Sequence, residues 1–319
     1  MRLRGAGLCP GDRRGGRLVM AAASPVPPMP AEAATLAAQA YIRTTPCGDG
    51  AIVWHVWQAA GHPEPAAPPL VLLHGGSGSW THWVRNIDTL RSWGRTVWVP
   101  DLPGFGDSAV PPGGADADAL VAPLAQGMRA LWGDARCDLV GFSFGGLTAG
   151  LLLAAEPSLA RQLVLVGAPA MGVVPERQIT LKGWRHLASP AAQEAAHRHN
   201  LAELMLHDTS LIDGLALDLH RANVVRDRMP RRRLAHTDAL ARALPSVRCP
   251  VHAIYGARDT LYREWIAALE GAYRMAAPDF RGLALVPDAG HWVQFERPGP
   301  FEEALRAALH AGAAAARGA

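Results

Sequence analysis

One serine of the sequence stands in a turn pattern that can make its hydroxyl a nucleophile. A short apolar run, residues 138–142, leads into Gly141-Phe-Ser-Phe-Gly145, a G-x-S-x-G turn, and a helix-like run follows from Leu147. In a strand-to-helix turn of this kind the hydroxyl projects above the sheet, and the flanking glycines remove side chains that would collide with it. The following helix directs its first backbone N–H groups towards any oxyanion beside the serine. Ser143 is therefore the candidate nucleophile.

A candidate acid and a candidate base follow two later strand patterns. The run 251–255 ends shortly before Asp259, and the run 283–286 ends shortly before His291. A histidine, whose imidazole titrates near neutrality, can accept the Ser143 proton and later donate it to a leaving group. The carboxylate of Asp259 would fix the histidine tautomer and stabilise the imidazolium. The chain order serine, aspartate, histidine is typical of hydrolases that carry a nucleophile elbow.

Three other polar residues near strand ends have structural interpretations. Asp101 opens Asp101-Leu-Pro-Gly104, which is typical of a turn whose carboxylate accepts backbone hydrogen bonds. Asp288 lies three positions before His291 and is expected to serve its own turn. His74 precedes the nucleophile, whereas the expected order places the base last, so we predict that it orders the loop after it.

A glycine-rich loop supplies the remaining part of the candidate site. The apolar run 70–74 opens into Gly75-Gly-Ser-Gly-Ser-Trp80, where a hydrolase of this kind needs exposed backbone donors. We predict that the backbone N–H groups of Gly76 and Phe144 receive the oxyanion, with Ser77 as the substitute for Gly76.

Short apolar runs alternate with helix-length segments along the chain, and this alternation predicts a mostly parallel sheet covered on both faces. The run 52–57 alternates differently, so it is expected to pair antiparallel at an edge. The complete set of predicted strands is 52–57, 70–74, 96–100, 138–142, 162–166, 251–255 and 283–286.

These segments together resemble the α/β-hydrolase superfamily from about Tyr41 to about Leu309. The resemblance implies an α/β-hydrolase fold, with an eight-stranded, mostly parallel sheet, helices on both faces and an inserted helical cap. The similar segments are the His74 loop, Asp101-Leu-Pro-Gly-Phe-Gly-Asp-Ser108, Gly141 to Gly145, Tyr255-Gly-Ala-Arg-Asp259 and Gly290-His-Trp-Val-Gln-Phe-Glu296.

The predicted organisation has four parts. Residues 1–35 contain several arginines and a proline-rich stretch and are predicted to be a disordered leader, with Met20 as an alternative start. Residues 36–170 and 249–319 form the two parts of the core. Residues 171–248 lose the strand pattern and carry apolar residues at helical spacing, which predicts a cap that dries and shapes the site.

Several residues are predicted to contact a small-molecule substrate. Trp80, Phe142 and Trp292 would line an apolar or aryl-accepting pocket, and Ser77 lies in the oxyanion loop. Arg221 would either grip a substrate carboxylate or carbonyl, or form a surface ion pair.

Two reactions and one non-enzymatic function stay open. The first is cleavage of a small to medium carboxylic ester with an apolar or aryl group, through an acyl-enzyme on Ser143. The second follows from a narrower resemblance, carried by Trp292 and Arg221, to C–C bond hydrolases of dienoic aromatic ring-fission (meta-cleavage) products. Those hydrolases have Asn where this chain has Phe142. The third is a catalytically silent ligand receptor, which gives no reason for serine, aspartate and histidine all to be present.

Composition excludes other classes of protein. Of the 319 residues 49% are hydrophobic, enough for a substantial core. There are 31 Lys and Arg against 28 Asp and Glu, a formal charge of +3, so no nucleic acid partner is expected. The run Arg231-Arg-Arg233 is predicted to be a solvated helix face. No apolar run approaches the roughly 20 residues that insertion across a membrane requires.

No cofactor or metal is predicted. The cysteines lack metal-ligand spacing, which favours a reduced, cytoplasmic protein. The cap histidines lack an H-E-x-x-H pattern, and the glycine patterns of nucleotide-binding loops are missing. A homodimer stays open. The cysteines are Cys9, Cys47, Cys137 and Cys249, and the cap histidines are His186, His197, His199, His207, His220 and His236.

Overall fold

The fold centres on a β-sheet. The computed structural model describes residues 28–61, 67–175 and 179–315. Within these ranges eight strands lie in the order β1-β2-β4-β3-β5-β6-β7-β8; the β1–β2 and β2–β4 pairs are antiparallel and the other neighbouring pairs are parallel. The predicted mostly parallel sheet is confirmed. The strands are β1 (Tyr41–Cys47), β2 (Gly50–Trp57), β3 (Leu70–Leu73), β4 (Val97–Pro100), β5 (Cys137–Phe142), β6 (Ala160–Val166), β7 (Val251–Gly256) and β8 (Phe280–Val286).

Alternate strand residues face opposite sides of the sheet, and both sides are buried. In β3, Val71 and Leu73 belong to one hydrophobic cluster, whereas Leu70 and Leu72 belong to another. All four are fully buried. A strand buried on both faces must be apolar throughout, which explains why β3 reads as a continuous apolar run.

Helices cover the two faces. Residues of α3, α4, α7 and α8 join the Val71 cluster, and residues of α1, α2 and α10 join the Leu70 cluster. None of the helices in the described residues is long and apolar enough to cross a bilayer. The helices are α1 (Ala31–Ala37), α2 (Ile87–Ser92), α3 (Val121–Trp132), α4 (Phe144–Ala155), α5 (Pro190–Asn200), α6 (Leu215–Val224), α7 (Ala239–Ala243), α8 (Ile266–Ala276), α9 (Val293–Glu296) and α10 (Pro298–Ala315).

The amino-terminal part of the sheet differs from the prediction. Strand β1 was not predicted, because its first four residues are exposed and it contains Pro46, so it lacks a buried apolar pattern. It occupies the edge, and β2 pairs antiparallel on both sides instead of forming the edge itself. Helix α1 buries Ala33 and Leu36, so the predicted disordered leader is wrong over residues 31–35. Residues 1–27 of that leader lie outside the described residues.

The chain between β6 and β7 forms the inserted helical cap. Its described residues contain α5, α6 and α7, joined by short 3₁₀ turns and by a π-helical turn at Leu201–Met205. Helix α7 is the shortest of the three and covers only Ala239–Ala243. The predicted boundaries of the cap stay a prediction.

Candidate active site

The predicted site residues meet because their strands end together. In the parallel register Leu73 of β3 lies opposite Gly141 of β5, and Gly256 of β7 lies opposite Val286 of β8. The carboxyl ends of parallel strands share one edge of the sheet, so the loops that follow them converge there. Asp259 and His291 are carried by two of these loops.

The turn at Ser143 is strained in the way that a nucleophile elbow requires. Ser143 has φ +51°, a left-handed conformation that is unusual for a residue with a side chain. Its N–H donates to Val166 O at 2.7 Å, and its carbonyl accepts from Gly146 N at 2.8 Å. A Cβ on Gly145 would lie 2.5 Å from His74 O, so the turn can approach the β3 loop only because residue 145 has no side chain.

The three predicted side chains form a continuous hydrogen-bonded row. His291 Nε2 lies 2.9 Å from Ser143 Oγ, and His291 Nδ1 lies 2.8 Å from Asp259 Oδ2. The other carboxylate oxygen of Asp259 accepts Leu261 N at 2.9 Å. Asp259 is fully buried and His291 is 2% exposed, whereas the serine hydroxyl is partly open.

The partners of His291 determine its tautomer. An ionised carboxylate only accepts hydrogen bonds, so Nδ1 carries the proton and donates it to Asp259. In the neutral imidazole Nε2 is then free to accept the Ser143 hydroxyl proton. Gly167 leaves room for the ring, since a Cβ at that position would lie 3.2 Å from His291 Cε1. The row therefore has the polarity that proton removal from the serine needs.

Two backbone donors beside the serine are unused. Phe144 is the first residue of α4, so its N–H has no partner within the helix. Neither this N–H nor that of Gly76 donates to another group in the part of the chain that the structure describes. The loop that carries Gly76 is fixed from below, because Gly75 N donates to His82 Nδ1 at 3.1 Å. The predicted oxyanion donors are thus free to bind a ligand oxygen.

The predicted structural roles of His74 and Asp101, in ordering loops and turns, are confirmed. Asp101 accepts Trp80 N at 2.9 Å and Asp107 N at 2.8 Å. Leu102 N donates to His74 Nε2 at 2.8 Å, so His74 Nδ1 donates to Gly75 O, also at 2.8 Å. Burial lowers the pKa of His74 to about 4, which keeps the ring neutral. Both side chains fasten loops to one another.

Comparison with known proteins decides the family. The sequence profile of the alpha/beta hydrolase family matches residues 70–304 of this chain. The chain belongs to the alpha/beta hydrolase family. The matched range contains the candidate nucleophile Ser143, the candidate acid Asp259 and the candidate base His291.

Relatives within the family act on different substrates according to their names. The 2-hydroxy-6-oxo-2,4-heptadienoate hydrolase of Pseudomonas putida is 31% identical over 252 residues, which cover 74% of this chain and 87% of the relative. The sn-1-specific diacylglycerol lipase of Mus musculus is 27% identical over 260 residues, covering 77% of this chain and 82% of the lipase. Membership of the family shows that the chain is a hydrolase. The names of these relatives do not determine which bond it cleaves.

Solved structures of alpha/beta hydrolases share the fold. A meta-cleavage product hydrolase from Pseudomonas fluorescens has a TM-score of 0.67 at 20% identity, covering 84% of this chain and 97% of that structure. An esterase from Rhodococcus sp. has a TM-score of 0.63 at 23% identity, covering 83% and 97%. At these identities the likeness is one of fold alone.

The aromatic residues predicted to bind substrate are almost fully buried in this hydrolase. Phe142 contacts the hydrogen-bonded row, with its ring centroid 5.2 Å from that of His291. Trp292 donates from Nε1 to His82 O and stacks on Phe295, and Trp80 packs on Trp57. Phe142, Trp292 and Trp80 are each 3% exposed or less. Their role in substrate binding stays a prediction.

Two cap arginines have contacts that bear on their predicted roles. Arg221 lies 3.8 Å from Glu194, and both side chains are about a third exposed, so the structure places it in the surface ion pair. Arg232, predicted to be part of a solvated helix face, lies on no helix and is only 20% exposed. Its guanidinium carbon lies 5.5 Å from the Phe144 ring centroid. The sequence did not reveal that Arg232 points inward, because composition alone does not distinguish the three arginines of the run.

One further group has the spacing of metal ligands. Ligand atoms of His55, Asp101 and Asp107 all lie within 4.8 Å of one another. Asp101 already accepts two backbone N–H groups, and Asp107 forms an ion pair with Arg226. A cation would have to displace these bonds beside an arginine charge, so we assign no metal to this group.

Proposed function

We propose that this alpha/beta hydrolase is a serine hydrolase that cleaves a small to medium carboxylic ester with an apolar or aryl group. The single observation that carries the proposal is the row Ser143, His291, Asp259, with heavy-atom distances of 2.9 and 2.8 Å. Both distances lie within the reach that proton transfer between a nucleophile and its base requires.

The first half of the reaction forms an acyl-enzyme. Ser143 Oγ attacks the ester carbonyl carbon while its proton passes to His291 Nε2. The carbonyl oxygen becomes an oxyanion and accepts the free N–H groups of Gly76 and Phe144. The C–O bond to the alcohol then breaks, and the alcohol leaves with the proton from Nε2.

The second half releases the acid. A water molecule gives a proton to Nε2 and attacks the acyl carbon, and the same two N–H groups bind the second oxyanion. The bond to Ser143 Oγ breaks as the serine regains its proton. Asp259 accepts from Nδ1 throughout, so it stabilises the imidazolium without being protonated itself.

A second candidate uses the same three side chains to hydrolyse a C–C bond in a dienoic ring-fission product. It is favoured by the 31% identical relative, which is named as a heptadienoate hydrolase. It is opposed by Phe142, whose apolar, fully buried ring cannot donate a hydrogen bond to a substrate oxygen as asparagine would. It is also opposed by Arg221, which is engaged with Glu194.

Two assays separate the candidates. We expect turnover of p-nitrophenyl acetate and butyrate and no loss of the chromophore of a dienoic ring-fission acid. The reverse result would make the C–C hydrolase the function. A folded protein that turns over neither compound and is not labelled at Ser143 by a fluorophosphonate would support a silent receptor instead.

A further inference from the structure

The cap holds one residue of the oxyanion loop in an unusual conformation. Ser77, next to the proposed donor Gly76, has φ +52°, although it is not a glycine. Its hydroxyl donates to Asp227 Oδ2 at 2.5 Å, and Arg232 Nη2 donates to the same hydroxyl oxygen at 3.0 Å. Asp227 and Arg232 both belong to the segment between α6 and α7. A residue with a side chain keeps a left-handed conformation only where its surroundings over-determine it.

The two cap residues are themselves fixed. Arg232 Nη1 lies 2.9 Å from each carboxylate oxygen of Asp227 and donates to Met229 O at 2.7 Å. Asp227 Oδ1 also accepts Met229 N at 2.8 Å. Met229 is fully buried, and a Cβ on Gly104 would lie 2.3 Å from its Cγ. The Asp227–Arg232 pair is therefore a rigid support and not a pair of mobile surface charges.

The guanidinium of Arg232 lies against both sides of the proposed oxyanion hole. A Cβ built on Gly76 would lie 3.4 Å from Arg232 Nε and Nη2. The guanidinium carbon lies 5.1 Å from the ring centroid of Phe105 and 5.5 Å from that of Phe144. Arg232 thus contacts the two residues whose N–H groups are proposed to bind the oxyanion.

A second polar contact ties the cap to the same loop. Asn223, on α6, accepts the hydroxyl of Ser79 at 2.7 Å and donates to Thr81 Oγ1 at 3.0 Å. Ser77 and Ser79 are therefore both held by cap side chains. The cap reaches the core at the loop where an acyl-transfer enzyme needs its oxyanion donor.

We propose that Asp227 and Arg232 are positioning residues that set the oxyanion hole: they hold Ser77 left-handed so that the Gly76 N–H points at the reacting carbonyl oxygen. This inference rests on the proposed serine hydrolase reaction. Without the two hydrogen bonds to its hydroxyl, Ser77 returns to an ordinary conformation. This change turns the N–H of the preceding residue, Gly76, away from the carbonyl oxygen. The cap then controls the chemical step and not only access to the site.

The test compares two cap variants with two matched controls. Asp227→Ala and Arg232→Gln remove the support of Ser77. Asp116→Ala removes a carboxylate that anchors the same cap segment elsewhere, through the backbone N–H of Leu234, and Arg228→Gln removes an arginine that bonds Gly106 O and Ser108 O. All four are assayed with p-nitrophenyl butyrate, with thermal unfolding as a check of folding.

We expect kcat to fall by about 10- to 100-fold in Asp227→Ala and Arg232→Gln, because a misdirected donor loses part of the 100- to 1000-fold that a complete deletion costs. KM should change by less than about threefold, since the lost interaction forms only in the transition state. Affinity for an alkyl boronic acid, which forms an oxyanion adduct on the serine, should fall in parallel with kcat. Asp227→Asn keeps an acceptor for the Ser77 hydroxyl and should recover most of the activity.

Three results would overturn the inference in an active wild-type enzyme. One is an unchanged kcat in both folded cap variants. Another is an equal loss of kcat in the Asp116→Ala and Arg228→Gln controls, which would indicate general loosening of the cap. The third is a rise in KM with kcat unchanged. If the wild-type protein itself lacks esterase activity, the proposed function is wrong. This result is distinct from the three results that would overturn the inference about Asp227 and Arg232.

Discussion

Two places on the sheet edge hold an aspartate and a histidine, and only one of them has the geometry of a catalytic centre. His74 and Asp101 follow the neighbouring strands β3 and β4, and Asp259 and His291 follow the neighbouring strands β7 and β8. All four side chains are at most 2% exposed. Burial and residue type therefore do not distinguish the two pairs.

What distinguishes the pairs is the group that each polar atom contacts. Both nitrogens of His74 are bound to backbone groups, and so are both carboxylate oxygens of Asp101. His291, in contrast, joins a carboxylate to a partly open serine hydroxyl. A proton can move along the second arrangement, whereas the first has no acceptor to which it can give one.

The largest expected effect comes from removing the serine that only the second pair contacts. Ser143→Ala should lower kcat by about a million-fold, because loss of the nucleophile disables the whole row. Ester hydrolysis under saturating substrate measures it. Ser108→Ala is the matched control: Ser108 Oγ donates to Asp101 O and accepts Val53 N, so this change should cost stability and spare turnover. A tenth of wild-type activity in Ser143→Ala would contradict the assignment.

The next largest effect is expected from replacing an aspartate of each pair by asparagine, which should distinguish the two pairs. Asp259→Asn should lower kcat by about 10⁴-fold, because an amide that donates to His291 Nδ1 would stabilise the wrong tautomer. Asp101→Asn should leave kcat of the folded enzyme within about tenfold. It should instead lower the free energy of unfolding by about 1 to 3 kcal/mol, since one buried N–H would face an amide donor. Kinetics and urea unfolding of both variants measure these two effects. Comparable losses of kcat in the two variants would contradict the distinction between Asp259 and Asp101.

The sequence was sufficient for the core because there the local pattern and the global fold agree. Strand β5 and the glycines of the Ser143 turn leave few alternatives, since a β-carbon at Gly141 would lie 2.6 Å from Gly145 O. The order of serine, aspartate and histidine then follows from the order of the strands. Strand β1 was missed because its exposed side chains carry no periodic signal.

The cap was less predictable because its contacts are long-range and polar. Ser77 and Asp227 are 150 residues apart in the chain, and no spacing rule relates them. Nothing in Arg231-Arg-Arg233 indicates which arginine points inward. Only a left-handed conformation at Ser77 would have been a signal, and sequence does not reveal that conformation in a residue other than glycine.

Acid titration should reveal the neutral histidine of the first pair. The pKa of His74 is about 4 in the folded protein because of burial, against about 6.5 in an unfolded chain. Between these values the unfolded chain binds the extra proton. The contribution of neutral His74 to the free energy of unfolding is therefore complete above about pH 6.5. It falls by about 1.4 kcal/mol per pH unit as the pH is lowered towards 4.

Urea unfolding of the wild type and of His74→Gln, at about pH 7 and about pH 5, measures this slope. The wild type should lose more stability than the variant over that interval, by about 2 kcal/mol, nearly all of it below about pH 6.5. His197 and His220, whose pKa values desolvation lowers to about 4 and about 3, contribute the same sign to both proteins and cancel in the comparison. Equal slopes would show that His74 is not held neutral.

The smallest effect is expected where the contact is an exposed ion pair. Arg221 faces Glu194 at 3.8 Å, with side-chain exposures of 35% and 39%, so water screens the pair. Arg221→Gln should change the free energy of unfolding by less than about 1 kcal/mol and leave kcat/KM for p-nitrophenyl butyrate within about twofold. Glu194→Gln should behave in the same way. If Arg221→Gln instead raised KM for a carboxylate-bearing substrate and Glu194→Gln did not, the arginine would have to leave its partner to bind substrate, and contacts in the free protein would not define its role.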